Sequence, residues 1–377
     1  MGKFTELLNR KLLQVAKKHY HRDQFNTYMN TFEWENVKDA ERIYKFMEEG
    51  KSLFHFPFIK RTLNLSWVTL KSISSANKYD SKYKILASEY GLMAGFINFF
   101  NALEFVPMGV MGFFARFFIN EKNDTPMQKH FTDYFKKYSK DLETIPFYDH
   151  NYTEIRSHLS QAYQTEKTNN SLTWADSLTY LAVNTQLLFR TLVSKPLQYM
   201  YHQPDNLVPP TTDVLVRYRA HGFTNQEKAI EHFKEKIASI KEAAQVDIVD
   251  NHVYAKEKKP NKDYISTYAL LSTPRYRAFK NTTALLSQEE IEIKKIAGND
   301  NIQVTCEIDA KDEEAFLQAH AELTKNETNK LLYQYGDSIH ANNQTLLFNI
   351  PTTHLQEAIK ELEQAHEATK VRLIHNF

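Results

Sequence analysis

Glu154 and His158 stand one helical turn apart, with Asp149 and His150 just upstream. Two side chains at i and i+4 share a helix face and can begin a metal site, and a carboxylate beside an imidazole can carry acid–base chemistry. A complete site needs further ligands from elsewhere, and without them the pair is a surface acid–imidazole contact. His320-Ala321-Glu322 has the HxE spacing of a zinc deaminase, but the partner motif needs two cysteines and Cys306 is the only one. After His366-Glu367, Lys370 stands where a zincin needs its second histidine. Cys306 falls on an inward position of an alternating strand, which suits a small buried hydrophobe better than a reactive thiolate. No Walker phosphate loop, GxGxxG, HExxH or GxSxG elbow is present. These readings call for no metal and no cofactor.

Those four residues belong to a half of the chain that reads as helical throughout. Apolar residues recur at helical spacing over 36–49, 62–76, 81–90, 126–142, 152–166 and 171–202, with Pro196 kinking or ending the last. The segment around Pro57 reads as a connection. Residues 3–18 read as a basic amphipathic helix: Phe4, Leu7, Leu8, Leu12 and Val15 form its stripe, and Lys3, Arg10, Lys11, Lys17 and Lys18 much of the remainder. Such a helix packs as an ordinary first helix, lies on an anionic bilayer or serves as an organellar presequence.

The dominant stretch is Gly91–Ile119, which holds four of the nine glycines and only two charges, Glu104 and Arg116. About twenty apolar residues suffice to span a bilayer as a helix. Against a span stand Asn98, Asn101 and Glu104, since a mid-helix carboxylate costs roughly 2.5 kcal/mol or more on insertion scales. Pro107 divides the run into pieces of core-helix length. The expectation is an apolar two-helix hairpin over 91–119, packed in the core or used as a membrane probe. Phe96, Phe99, Phe100, Phe113, Phe114, Phe117 and Phe118 supply its apolar surface in either case.

Three prolines between His202 and Asp213 mark a boundary, and the pattern then changes. Alternating runs at 213–220, 246–255 and 264–271 read as strands. A helix opens at the Thr224/Glu227 capping box, and a short helix is expected from Ser287 to Gly298. From 299 onward the order is β-α-β-β-α-β, with Thr353 and Gln356 capping the second helix. That is the split βαβ pattern of ferredoxin-like domains. The fold class is therefore α+β: a mainly helical N-terminal half (1–205), then a C-terminal α+β half. The latter comprises a βαββα unit (206–298) and a ferredoxin-like unit (299–377), related in pattern to one another.

Composition narrows the function classes. In 377 residues there are 47 basic and 46 acidic side chains, so overall charge points to neither nucleic acid nor an acidic substrate. For RNA, Tyr333 and Tyr335 on one strand face are the nearest thing to a stacking platform, without an RNP1-type motif, so RNA is disfavoured and DNA not expected. The single cysteine suits a reducing compartment, and the N-terminus lacks both a secretory signal and a myristoylation pattern. The favoured reading is a non-catalytic membrane-associating or partner-binding protein, cytoplasmic and peripheral at a membrane. Its partner would be an anionic membrane surface or another protein, with the 3–18 basic residues and the seven phenylalanines as contacts. Two alternatives stand beside it. One is an enzyme with a motif-less carboxylate/histidine site. The other, from the Lys/Asn/Tyr/Phe-rich composition, is a secreted effector of an intracellular bacterium.

Overall fold

A computed structural model describes residues 28–29, 31–143, 145–201, 211–256, 263–275, 277–336 and 343–375. The expected helix over 3–18, with Lys3, Arg10, Lys11, Lys17 and Lys18, lies outside the described residues. The protein is α+β, with a helical N-terminal half and two antiparallel sheets in the C-terminal half. It divides into a helical unit (Thr31–Leu70, Leu92–Val208) and a sheet unit (Met1–Asn30, Lys71–Gly91, Pro209–Phe377).

In the helical unit, α1 (Thr31–Glu48) buries Phe32, Ala40, Ile43 and Met47 at helical spacing. It ends at Gly50, whose φ of +76° is the left-handed conformation a helix C-terminus favours. The Pro57 segment makes a short 3-10 turn at Leu53–His55, and α2 (Phe58–Ala76) starts directly after the proline. Phe54, Phe56 and Phe58 are all fully buried, so this connection is core. The helix α3 (Lys82–Leu86) is a single turn capped by Ser81.

Residues 91–119 are not a hairpin. They lie in one helix, α4 (Glu89–Ala115), which runs through Pro107, and the turn that follows it. An interior proline costs about 3 kcal/mol, and here tertiary contacts on both sides offset it. Phe105 and Met108 are buried flanking the proline. Glu104 is held by Arg190, and Arg116 Nε donates to the Phe54 carbonyl at 3.1 Å. Gly112 allows the close approach: a Cβ there would lie 2.5 Å from the Phe54 carbonyl oxygen.

Three further helices complete the unit. Thr125 caps α5 (Pro126–Asp141), with Pro126 in its first turn. Asn151 caps α6 (Tyr152–Thr168). The last, α7 (Trp174–Tyr201), opens on a reciprocal box in which Thr173 N donates to Asp176 Oδ2 at 2.9 Å and Asp176 N to Thr173 Oγ1 at 3.1 Å. It continues through Pro196. Around the unit, α1 packs on α5, α5 on α6 and α6 on α7.

The sheet unit carries the same order twice. Its first half is β1 (Thr211–His221), α8 (Gln226–Ala244), β2 (Asp247–Ala255), β3 (Tyr264–Pro274), α9 (Arg277–Gln288) and β4 (Ile291–Ile296), with strands ordered β2-β3-β1-β4. The second is β5 (Asn301–Asp309), α10 (Glu313–Thr324), β6 (Lys330–Gly336), β7 (Asn343–Pro351), α11 (Leu355–Gln364) and β8 (Thr369–Ile374), ordered β6-β7-β5-β8. Register shifts fall at matching places, between Leu215 and Val216 in β1 against β4 and between Thr305 and Cys306 in β5 against β8. One apolar core runs through both halves.

Three local expectations change here. Residues 287–298 are not a helix: α9 ends at Gln288, Glu290 turns the chain at φ +59°, and β4 points Ile291 and Ile293 inward. The first half is thus βαββαβ, one strand more than its sequence pattern suggested. Asn225 rather than Thr224 caps α8, and α11 grows out of a 3-10 turn at Thr352–His354 without a side-chain cap. Hydroxyls near helix starts compete for the same orphan N–H groups, and backbone geometry chooses between them.

Candidate functional site

Three helices of the helical unit carry their apolar stripes outward. On α2 the exposed residues from Phe58 to Ser72 are Ile59, Lys60, Leu63, Trp67 and Leu70. On α4 every exposed residue from Leu92 to Phe114 is apolar, including Phe99, Leu103, Val106, Val110 and Phe113. The stripe runs on through Phe117 and Phe118, which are 71% and 76% exposed. On α7 the exposed residues from Trp174 to Leu192 are Trp174, Leu181, Thr185, Leu188 and Leu192, and the Thr185 hydroxyl is turned back onto the Leu181 carbonyl at 2.8 Å.

The buried faces of the same helices mix polar and apolar groups: α7 buries Asp176, Thr179, Gln186, Arg190, Thr191 and Ser194 beside Ala182, Val183 and Leu187, α2 buries Arg61 and Thr69 beside Leu65 and Val68, and α4 buries Asn101 beside Phe105 and Met108. A helix of a globular unit ordinarily keeps its charged residues on the exposed face. Helices α5 and α6 do so: Lys129, Asp133, Lys136, Lys137 and Lys140 of α5 and Glu154, His158 and Gln161 of α6 are exposed, above buried Met127, Phe131, Phe135, Tyr152 and Leu159. The helical unit therefore has a polar side and an apolar one.

Polar cross-links hold the apolar side in register, with α4 between its neighbours. Toward α2, Asn98 Nδ2 donates to Thr69 Oγ1 at 2.8 Å, Ser66 Oγ to Asn98 Oδ1 at 3.1 Å, and Thr62 Oγ1 to Asn101 Oδ1 at 3.1 Å. Toward α7, Arg190 Nε and Nη2 each donate to one oxygen of Glu104 at 2.8 Å, and Gln186 Nε2 adds a third bond at 3.1 Å. The guanidinium also lies 4.6 Å from the centre of the Tyr138 ring. Burial alone would lower the pKa of Arg190, but Glu104, with Tyr138 and Tyr134, reverses this and holds it well above its ordinary value.

The seven phenylalanines divide. Phe99, Phe113, Phe114, Phe117 and Phe118 are exposed, whereas Phe96 and Phe100 are half-buried against Phe147 and Phe189. Sequence reasoning did not single out the α2 stripe, and it took the α7 stripe only as helical periodicity. An apolar stripe has the same spacing whether it meets a core or not, so the recoverable signal was the polar stripe opposite it.

Glu154 and His158 are both exposed, and Asn151 occupies the Glu154 carboxylate at 3.0 Å. Among the described residues, no group of three or more His, Cys, Asp or Glu is placed to hold a metal ion. Cys306 is buried, and burial pushes its thiol up to about 12. Tyr333 and Tyr335 are buried too, with the Tyr333 hydroxyl 2.9 Å from Ser72 Oγ, so they present no open face for stacking.

His150 is buried beside Tyr138 and Tyr152, where burial pushes its pKa below the usual value near 6.5, against opposing contributions led by Asp141. A depressed imidazole stabilises the fold fully above pH 6.5, and that contribution is lost as pH falls through the folded-state value. The denaturant midpoint should therefore drop between pH 7.5 and pH 5, and less so in His150→Gln. His55 is shifted the same way, by burial and then Arg116, so the slope should shrink rather than vanish. An unchanged slope in the variant would show that His150 is not the proton acceptor.

This chain matches no protein-family model and no curated protein. Among solved structures it is similar to one described as an unknown protein from Galdieria sulphuraria. The two are 12% identical, the match covers 43% of this chain and 97% of that one, and the TM-score of 0.16 is too low to carry an argument.

Proposed function

We propose that this is a non-catalytic, membrane-associating protein whose contact surface is the outer side of α2, α4 and α7. The observation that carries this reading is the apolar outer face of those helices, with leucine, phenylalanine and tryptophan outward and the arginine, glutamate and asparagine side chains turned inward among apolar ones. Contiguous exposed apolar surface marks an interaction site, and charges paired away from that surface are the arrangement a lipid environment requires. By length and composition α4 could cross a bilayer, yet only 22% of its most apolar window is buried. Phe99, Phe113, Phe114, Phe117 and Phe118 are the principal contacts, with Phe96 and Phe100 bracing them. The basic residues Lys3, Arg10, Lys11, Lys17 and Lys18 add attraction to anionic lipid, which suits a peripheral protein on a cytoplasmic surface.

The repeated βαββαβ order and matching strand order support reading the sheet unit as two related ferredoxin-like halves. Such a fold by itself assigns no activity.

Flotation of the full-length chain with mixed phosphatidylcholine and phosphatidylglycerol vesicles tests the reading. The wild-type protein should float, and Phe113→Asp/Phe117→Asp should bind at least about 100-fold more weakly with unchanged circular dichroism, since each buried phenylalanine contributes roughly 1.5–3 kcal/mol. Wild-type protein that stays in the soluble fraction at low salt would exclude the membrane as its partner.

A further inference from the structure

We infer that the three-helix face lies flat in a single leaflet of an anionic bilayer, and that α4 does not cross it. This rests on the membrane reading above and goes on to specify how the bilayer is met. A crossing α4 would carry its partners with it, because Glu104 is bonded to Arg190 and Gln186 of α7, and Asn98 and Asn101 to α2. Behind them, the Tyr134 hydroxyl of α5 accepts from Arg190 at 3.3 Å, and Arg156 of α6 donates to Asn184 of α7 at 3.0 Å. A crossing would thus place the exposed charges of α5 and α6 in hydrocarbon. Lying flat leaves that polar side in water and immerses only the outward side chains, a depth of about 5–10 Å.

The charges at the face fit this orientation. Lys60 and Lys195 are the only charged residues exposed on α2, α4 and α7 among the described residues, and both are cations. A long basic side chain at the rim of an apolar face can immerse its methylenes and raise its charge to the headgroups of the same leaflet.

Two exposed tryptophans flank the level of Glu104. Trp67 and Trp174 are about half exposed, on α2 and α7 respectively, whereas Trp34 is buried. In a flat orientation both sit at the same shallow level. A crossing bundle would also seat them shallowly, one at each interface, because Trp174 lies about 24 Å along α7 from Arg190 and Trp67 about 10 Å to the other side of the Glu104 level. Leu188, exposed on α7 between the two residues that bond Glu104, is the position that differs: a crossing places it at the bilayer centre, and the flat orientation leaves it shallow.

The experiment is tryptophan quenching of the full-length protein carrying Leu188→Trp, with Trp67→Phe and Trp174→Phe to remove the other exposed signals. The vesicles contain equal parts phosphatidylcholine and phosphatidylglycerol, with the phosphatidylcholine brominated at successive acyl positions. Strongest quenching of the reporter at position 188 at the shallow positions is expected. Strongest quenching of it at the chain ends would overturn the flat orientation while leaving membrane association intact. Absence of binding to any vesicle would defeat the membrane reading itself. Lys60→Glu/Lys195→Glu should bind these vesicles at least about tenfold more weakly, and unchanged binding would overturn the anionic headgroup assignment.

Discussion

Arg190→Met should lower the free energy of unfolding by about 3–5 kcal/mol, the range for breaking a buried pair by removing one partner. The bidentate bond to Glu104 disappears, and with it the cation over the Tyr138 ring and the donor to Tyr134. Glu104 would keep only Gln186 among these partners, in a site where its side chain is 13% exposed. The loss comes chiefly from the stranded carboxylate, so Glu104→Leu/Arg190→Met should recover most of it. Urea denaturation of the two single variants and the double variant forms the test. Losses that simply add would show that the two groups are not energetically coupled. The pair also spaces α4 from α7, so Arg190→Met should bind vesicles differently from wild type even where it stays folded.

The second large effect is expected at Arg61→Met. Arg61 is completely buried, with Nε donating to Asp39 Oδ1 at 2.7 Å and Nη2 to Glu35 Oε2 at 3.1 Å. Both carboxylates are also buried, and Arg42 reaches both from the edge of the cluster. Removing the inner cation should again cost about 3–5 kcal/mol at neutral pH. Burial already raises the Asp39 pKa despite Arg61 and Arg42, which pull it down. Without Arg61 the raising contribution grows. An acid whose folded pKa is raised gains stability as pH falls through that value toward its unfolded one. The gap between Arg61→Met and wild type should therefore narrow from pH 7.5 toward pH 4.5, and a gap that widens on acidification would contradict the assignment.

Much of the secondary structure was legible in the sequence. Periodicity located α5, α6, α7, β1 and β3 to within a few residues, because the 3.6 and 2.0 repeats are local properties of the chain. Where local signals competed, they misled. Ser287 and Glu290 have capping-box spacing, but the alternation of Ile291 and Ile293 prevailed once β1 offered a strand to pair with. Pro107 is a local helix breaker, yet α4 continues because Phe105, Met108, Glu104 and Arg116 are held from outside the helix.

The sequence by itself determined the α+β class, the helical first half and the existence of an apolar segment at 91–119. It could not determine which way that segment faces. An apolar stripe looks the same beside a core or on a surface, and only the partners of the opposite stripe decide. Those partners are remote: Arg61 meets Glu35 across 26 residues, and Arg190 meets Glu104 across 86. Glu104 counted against a membrane span while it stood alone in the sequence. Paired with Arg190 beneath the exposed leucines and phenylalanines, it no longer carries that cost, since ion pairing and burial are properties of the folded chain and not of the residue.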